Sequence, residues 1–337
     1  MAERRPKVWV SQPLFDDIVA QLDAWFDVTR VPEISDHAPS AIAAALGAVD
    51  GALVTLNDRI GEAEVAGATR LRAVASVGVG YDNLDVDALR ARGIVATNTP
   101  GVLTETTADF GFALMMAAAR RITEAEHWLR AGQWQGWGFH KLLGAEIHGT
   151  TLGILGMGRI GQGIARRARG FGMRVLYHNR SRLPGDVERD CAATYVDRDT
   201  LLARSDHLVL VLPYSAASHH VIDADALARM KPGATLTNIA RGGLIDEDAL
   251  ADALGAGRLA AAGLDVFEGE PAVNPRLLAC RNVVLTPHVA SASLATRRAM
   301  VALAVENLVA ALGRGPDAGR PPTPIAPPPD AGRHRLR

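Results

Sequence analysis

The chain has 337 residues, 36 Lys and Arg against 37 Asp and Glu, with 48% hydrophobic and 22% charged residues. That length accommodates two domains of ordinary size, and a net charge of −1 argues against a nucleic-acid or membrane-surface partner. The two cysteines, Cys191 and Cys280, stand in no metal-ligand spacing, as expected of plain thiols in a reducing compartment. Met1–Lys7 carries charges with no apolar signal core behind it, and no apolar run approaches the ~20 residues of a membrane span. A cytoplasmic protein is expected.

In chain order, Lys7–Ser11, Ala52–Leu56, Leu71–Val77 and Ile94–Thr97 read as strands, and Ala41–Leu46 and Asp85–Ala91 as helices. This alternation predicts a parallel sheet covered by helices. Asn98-Thr99-Pro100-Gly101 is loop punctuation. Thr104–Arg121, rich in Ala and Met, reads as one long helix, with Glu105 early and Arg120-Arg121 late to suit its dipole. Gly132–Gly144 carries Trp134 and Trp137 among glycines, just after Trp128. It is either a loop folded onto its own domain or an aromatic arm that anchors a partner subunit. Residues 151–288 restart the α/β alternation, and 291–312 form a further apolar helix. The Pro- and Gly-rich 315–337 is expected to be disordered. The predicted plan is a first α/β domain over 1–100, a dinucleotide-binding domain over 101–288, and a helix over 289–314 that returns to the first.

Thr151–Leu155 reads as a strand, followed at once by Gly156-Met157-Gly158-Arg159-Ile160-Gly161 and by a helix over Gln162–Ala168. In that setting the glycine spacing is a specific signal for a dinucleotide. Gly156 permits the tight turn, Gly158 the approach of a pyrophosphate, and Gly161 close packing of helix on strand, with the helix N-terminus facing the anion. The next strand, Met173–Tyr177, lacks the acid that would bind a ribose 2′-hydroxyl; Asn179, Arg180, Ser181 and Arg182 stand there instead. Arginines in that place suit a 2′-phosphate. NADP(H) is therefore expected over NAD(H).

Arg241, Glu270 and His288 follow three short apolar runs, Thr235–Ala240, Ala260–Leu264 and Val283–Thr286. Parallel strands deliver their C-terminal ends to one edge of the sheet, where ligands bind. A cation, a carboxylate and an imidazole are thus predicted to converge beside the nucleotide site, as equipment for binding a 2-keto acid and protonating its carbonyl. No Cys, Asp or Glu pattern completes a metal site around His219-His220, and no metal is expected.

Asn238–Gly243, Leu264–Pro271 and Thr286-Pro287-His288, together with the glycine loop, resemble the D-isomer-specific 2-hydroxyacid dehydrogenases, from about residue 50 to residue 312. Val77-Gly78-Val79-Gly80-Tyr81-Asp82-Asn83 and Thr104–Asp109 are of the same type, nearest the glyoxylate/hydroxypyruvate reductase and 2-ketogluconate reductase branch. The resemblance implies two doubly wound, Rossmann-like and flavodoxin-like parallel-sheet domains with the active site in a cleft between them. Arg241 would hold the substrate's carboxylate and keto oxygen, His288 would be the proton donor, and Glu270 would fix the tautomer of His288. Backbone N–H groups near Val77, Gly78 and Val79 would form an anion nest for the substrate carboxylate. Pro213, Ala240 and Asp265 would line the cofactor site, Asp265 by touching the nicotinamide carboxamide. Trp137 matches an aromatic that reaches the partner's active site in a homodimer. Asn57-Asp58-Arg59 reads equally as a substrate-facing loop and as plain surface. The rival readings are a 2-ketogluconate reductase and a co-repressor that keeps the fold and cofactor site but binds peptides.

Overall fold

A computed structural model of the chain describes residues 4–35 and 37–326. It divides into two units, one comprising residues up to Leu103 together with those from Ser293 onward, the other Thr104–Ala292.

The first unit is built on five parallel strands: β1 (Lys7–Val10), β2 (Asp27–Arg30), β3 (Gly51–Val54), β4 (Ala73–Ser76) and β5 (Val95–Thr97), in the order β2-β1-β3-β4-β5. β3 and β4 are buried along their whole length, as continuous apolar runs covered by helices on both faces must be. β2 is largely exposed at the edge. Its Asp27-Val28-Thr29-Arg30 offers one apolar residue, and sequence pattern alone does not reveal it. The helix Leu294–Ala311 is capped by the Ser293 hydroxyl, which accepts the Thr296 N–H at 3.2 Å. Val301, Ala304, Val305 and Leu308, at helical spacing, pack with Val8, Val10, Leu53 and Ala75 of the sheet.

The tail departs from expectation over 315–326. Thr97 pairs antiparallel with Pro324, Ile325 donates to the Ala96 carbonyl at 2.9 Å, and Asn98 to that of Thr323 at 3.3 Å. Two forces place it: β5 is an edge strand with unpaired main-chain groups, and the side chain of Asn307 is fully buried and needs partners. Asn307 donates to the Thr323 hydroxyl at 2.7 Å and accepts the Thr323 N–H at 2.9 Å. The remaining expectation of disorder, over 327–337, lies outside the described residues.

The second unit holds seven parallel strands: β6 (Thr151–Leu155), β7 (Arg174–His178), β8 (Ala193–Tyr195), β9 (His207–Leu210), β10 (Thr235–Asn238), β11 (Ala261–Leu264) and β12 (Val283–Leu285), in the order β12-β11-β10-β9-β6-β7-β8. The order reverses between β6 and β9, which defines a topological switch point. The helix Thr104–Ala119 buries Ala108, Phe112, Met115 and Ala118 in one cluster with Ile154, Ile164, Ala165 and Ala168. It is shorter than expected. Arg121 turns left-handed with φ 53° and grips Glu124 through two bonds of 2.7 Å, and a second helix, Ile122–Arg130, starts there. Glu105 does more than suit a dipole: it pairs with Arg166 at 2.8 Å, while Arg167 reaches Asp109 at 2.7 Å. No helix among the described residues is long and apolar enough to cross a membrane.

Candidate active site

Because the seven strands are parallel, the loops after β6, β9, β10, β11 and β12 leave the same edge of the sheet. β6 runs straight into the glycine loop, and the helix Arg159–Arg169 begins after Gly158 with no side-chain cap. Its first-turn N–H groups and dipole end are thus available for an anion. Gly156 takes φ +102°, and a Cβ there would stand 2.5 Å from the Leu212 nitrogen. No other residue fits this turn beside β9. A Cβ on Gly158 would meet nothing within 4 Å, which leaves open space before the helix terminus. A pyrophosphate fits this cradle. Met157, Arg159, Ile160 and Gly161 complete it, with Met157 buried beneath. Pro213 lies just past β9, and Ala240 just past β10.

The strand-end residues after β7 divide their work. Asn179 Oδ1 accepts the Met157 N–H at 2.6 Å, so its amide braces the glycine loop. Arg182 sits in a fork on Glu188, with bonds of 2.9 and 2.8 Å, and Tyr177 donates to the same carboxylate at 2.7 Å. Those bonds hold the Glu188 carboxyl down to about 2, and burial with that neighbour pushes the Tyr177 hydroxyl up to about 12. Arg182 is therefore engaged by an acid that lies six residues further on and folds back. Arg180, exposed beside Ser181, has no ion-pair or side-chain hydrogen-bond partner among the described residues.

Arg241, Glu270 and His288 follow the neighbouring strands β10, β11 and β12. His288 Nδ1 meets Glu270 Oε2 at 2.8 Å. Burial pushes the Glu270 carboxyl up, but the bond to His288, its charge, the Phe267 N–H at 2.9 Å and the charge of Arg241 outweigh it and hold the group below the usual carboxylate range. Glu270 is thus ionised at neutral pH, and the stabilisation its lowered value reflects is lost as pH falls through that value. The Arg241 guanidinium also donates to the Ala240 carbonyl at 2.7 Å. Gly242 sets how closely the loops after β10 and β11 approach: a Cβ there would stand 1.8 Å from the Phe267 carbonyl carbon.

His288 takes the left-handed φ of 53°, rare for a residue with a side chain. Asp265 holds it there. Its main-chain carbonyl accepts the His288 N–H at 2.8 Å. Its carboxylate, fully buried, accepts from the Thr286 hydroxyl at 2.7 Å, the Val289 N–H at 2.9 Å and the Ala290 N–H at 2.8 Å. Asp265, for which the resemblance implies a contact to the nicotinamide carboxamide, keeps its carboxylate buried within the turn that presents the imidazole.

Within the first unit the expected anion nest narrows. The Val77 N–H continues the ladder by donating to Val54 at 2.8 Å and is not available to a ligand. The N–H groups of Gly78 and Val79 have no acceptor among the described residues, while their carbonyls accept from Thr99 N and Asn98 Nδ2, each at 2.8 Å. Asp58 is fully buried and structural: its carboxylate accepts from Ser11 at 2.5 Å and the Thr55 N–H at 2.8 Å, while its neighbours Asn57 and Arg59 are exposed.

Two features concern groups outside this set. Trp134, Trp137, Phe139 and Leu143 are strongly exposed, Trp137 at 76%, and Trp137 and Phe139 pack edge to face at 4.5 Å. The loop therefore does not fold its aromatics onto its own unit. Second, the fold brings Glu268 to His219 and His220, a long-range meeting that sequence spacing does not announce.

A parallel sheet with a dinucleotide loop at its switch point, and an acid–imidazole pair at the same edge, define a nicotinamide-dependent oxidoreductase. Comparisons agree. The family model described as D-isomer specific 2-hydroxyacid dehydrogenase, NAD binding domain, matches residues 112–290. The glyoxylate reductase of Thermococcus kodakarensis is 43% identical over 310 residues, covering 91% of this chain and 93% of that one. That of Aeropyrum pernix is 44% identical over 313 residues, covering 91% and 93%. Among solved structures, the NADPH-dependent glyoxylate/hydroxypyruvate reductase of Sinorhizobium meliloti, in complex with NADP and malonate, is similar with a TM-score of 0.85 at 37% identity, covering 96% of this chain and 97% of that one. The chain belongs to the D-isomer-specific 2-hydroxyacid dehydrogenase family.

Proposed function

We propose that the protein reduces a small 2-keto acid of the glyoxylate or hydroxypyruvate type to the D-2-hydroxy acid, with NADP(H) preferred to NAD(H) and His288 as proton donor. The observation that carries this reading is the 2.8 Å bond between His288 Nδ1 and the ionised Glu270. That bond fixes the tautomer and leaves Nε2 for the reactant. Gly156–Gly161 would hold the pyrophosphate, with Arg180 and Ser181 at the 2′-phosphate. When bound, the reduced nicotinamide supplies the two electrons and one hydrogen that the keto carbon needs.

The chain's own residues do the rest. Arg241 offers a planar fork to the carboxylate and keto oxygen of the substrate. As negative charge grows on that oxygen, Arg241 and protonated His288 face it, and His288 delivers its proton. Within the first unit, the N–H groups of Gly78 and Val79 offer a nest suited to a carboxylate. The names of the similar enzymes, glyoxylate reductase and glyoxylate/hydroxypyruvate reductase, support this substrate class. The exposed Trp134–Leu143 arm supports a homodimer, expected as a dimeric sedimentation coefficient that falls to a monomer's in Trp137→Ser. A cytosolic location fits the two free cysteines.

Reduction of hydroxypyruvate tests the stereochemical claim, because its product is chiral. D-glycerate is expected by chiral chromatography; L-glycerate would sink the reading. Asp265→Asn tests the presentation of His288. An amide in place of the carboxylate turns a donor toward the N–H groups of Val289 or Ala290, at a cost of about 1–3 kcal/mol. Turnover should fall. Combined with His288→Gln, the second substitution should add almost nothing, since both act through one group; additive losses would show that Asp265 acts elsewhere.

A further inference from the structure

We propose that His219, His220 and Glu268 form a binding site for one divalent transition-metal ion of the Zn2+ class, apart from the residues assigned to catalysis. His219 and His220 follow the short helical turn Ala216–Ser218, in the segment after β9, and Glu268 lies in the loop after β11. His220 Nε2 stands 2.9 Å from Glu268 Oε2, and His219 Nε2 stands 3.8 Å from Glu268 Oε1. The three ligand atoms all lie within 4.8 Å of one another.

These separations suit a small ion. Zn–N and Zn–O distances of about 2.0–2.2 Å place neighbouring ligand atoms of a tetrahedral site about 3.3–3.6 Å apart. The observed contacts bracket that spacing; the two imidazoles, stacked at 3.8 Å with planes 23° apart, would turn their Nε2 edges together to take the ion. Two imidazoles and one carboxylate select Zn2+, Co2+, Ni2+ or Cu2+ over Mg2+ or Ca2+, which want oxygen alone. The side chains are 34% (His220) to 42% (His219 and Glu268) exposed, so an ion can enter and keep water in its remaining position.

The surroundings are those of a ligand set. Tyr214 stands 3.1 Å from His219 Nδ1. With Nε2 on a metal, Nδ1–H would donate to the Tyr214 oxygen, the outer bond that ligating histidines usually make. His220 is held with φ 50° and donates its N–H to the Gly243 carbonyl at 2.9 Å, which aims its ring at Glu268. Glu268 is itself braced, its N–H donating to Glu247 at 2.9 Å. An ion here would tie the segment after β9 to the loop that carries Glu270 two residues further on, and so restrain the base of the acid–imidazole pair.

Untagged, chelator-treated protein titrated with Co2+ tests the site. The expected result is a saturable visible d–d band at one Co2+ per chain, displaced by Zn2+, with a rise in melting temperature on saturation. The His219→Ala/His220→Ala double variant should lose both the band and the shift, Glu268→Gln should weaken binding at least tenfold, and His288→Gln should retain the band. Absence of a saturable band in the wild-type protein, or a band undiminished in the double variant, would overturn the proposal. Because the readout is metal binding and not turnover, it stands or falls independently of the proposed substrate.

Discussion

His288→Gln is expected to lower the turnover number for 2-keto acid reduction by about 10²–10⁴-fold, the usual contribution of a positioned general acid. The dissociation constant for NADPH should stay essentially unchanged. The imidazole sits at the end of β12, bonded to Glu270 at 2.8 Å, whereas the pyrophosphate cradle follows β6 and is built from glycines and a helix terminus. Glutamine keeps a polar side chain of similar reach and can still bond Glu270, but it has no proton to give. Steady-state kinetics with fluorescence titration of NADPH separates the two quantities. Equal loss of turnover and cofactor affinity would mean that the substitution collapses the loop, and the acid role would fail.

Arg180→Ala should raise the Michaelis constant for NADPH about 10- to 100-fold, the value of a charge-assisted contact to phosphate, and leave that for NADH nearly unaltered. Two observations single out this residue. No carboxylate follows β7 where a ribose 2′-hydroxyl would want one, and Glu188, which folds back towards this strand end, is bound by Arg182 at 2.8 Å and by Tyr177 at 2.7 Å. Arg182 is thereby committed to the protein, and Arg180 is the cation at this strand end with no ion-pair partner among the described residues. Arg182→Ala should instead act through stability, by stripping Glu188 of its counter-ion. Equal effects of Arg180→Ala on the two cofactors would remove the 2′-phosphate assignment.

Much of this site is legible before any fold is known, for one physical reason. In a parallel sheet, whatever follows a strand lands on the binding edge, so Arg241, Glu270 and His288 can be placed by reading where apolar runs end. The glycine loop is legible because strand, turn and helix are contiguous. What stays hidden depends on partners distant in sequence or on groups without a pattern. β2 has a single apolar residue and pairs only because β1 offers it an edge. The tail over 315–326 looks too rich in proline to order, yet β5 and the buried Asn307 hold it. The bonds from Thr286, Val289 and Ala290 to the Asp265 carboxylate are likewise hidden in the sequence, because they form only when the turn after β12 closes. Val77 reads as part of an anion nest until its N–H is found bonded to Val54. Glu268 meets His219 and His220 only through the packing of two loops, a closeness that Gly242 permits.

The most direct test is a set of initial rates on one purified sample, following NADPH and NADH oxidation with glyoxylate, hydroxypyruvate and 2-ketogluconate. The expected result is fast oxidation of NADPH with glyoxylate or hydroxypyruvate, slower oxidation of NADH, and loss of both in His288→Gln. Faster turnover of 2-ketogluconate would move the assignment to a sugar-acid reductase working with the same residues. Binding of NADPH without turnover of any of the three acids would contradict the proposed chemistry, and with it the roles given to Arg241, Glu270 and His288.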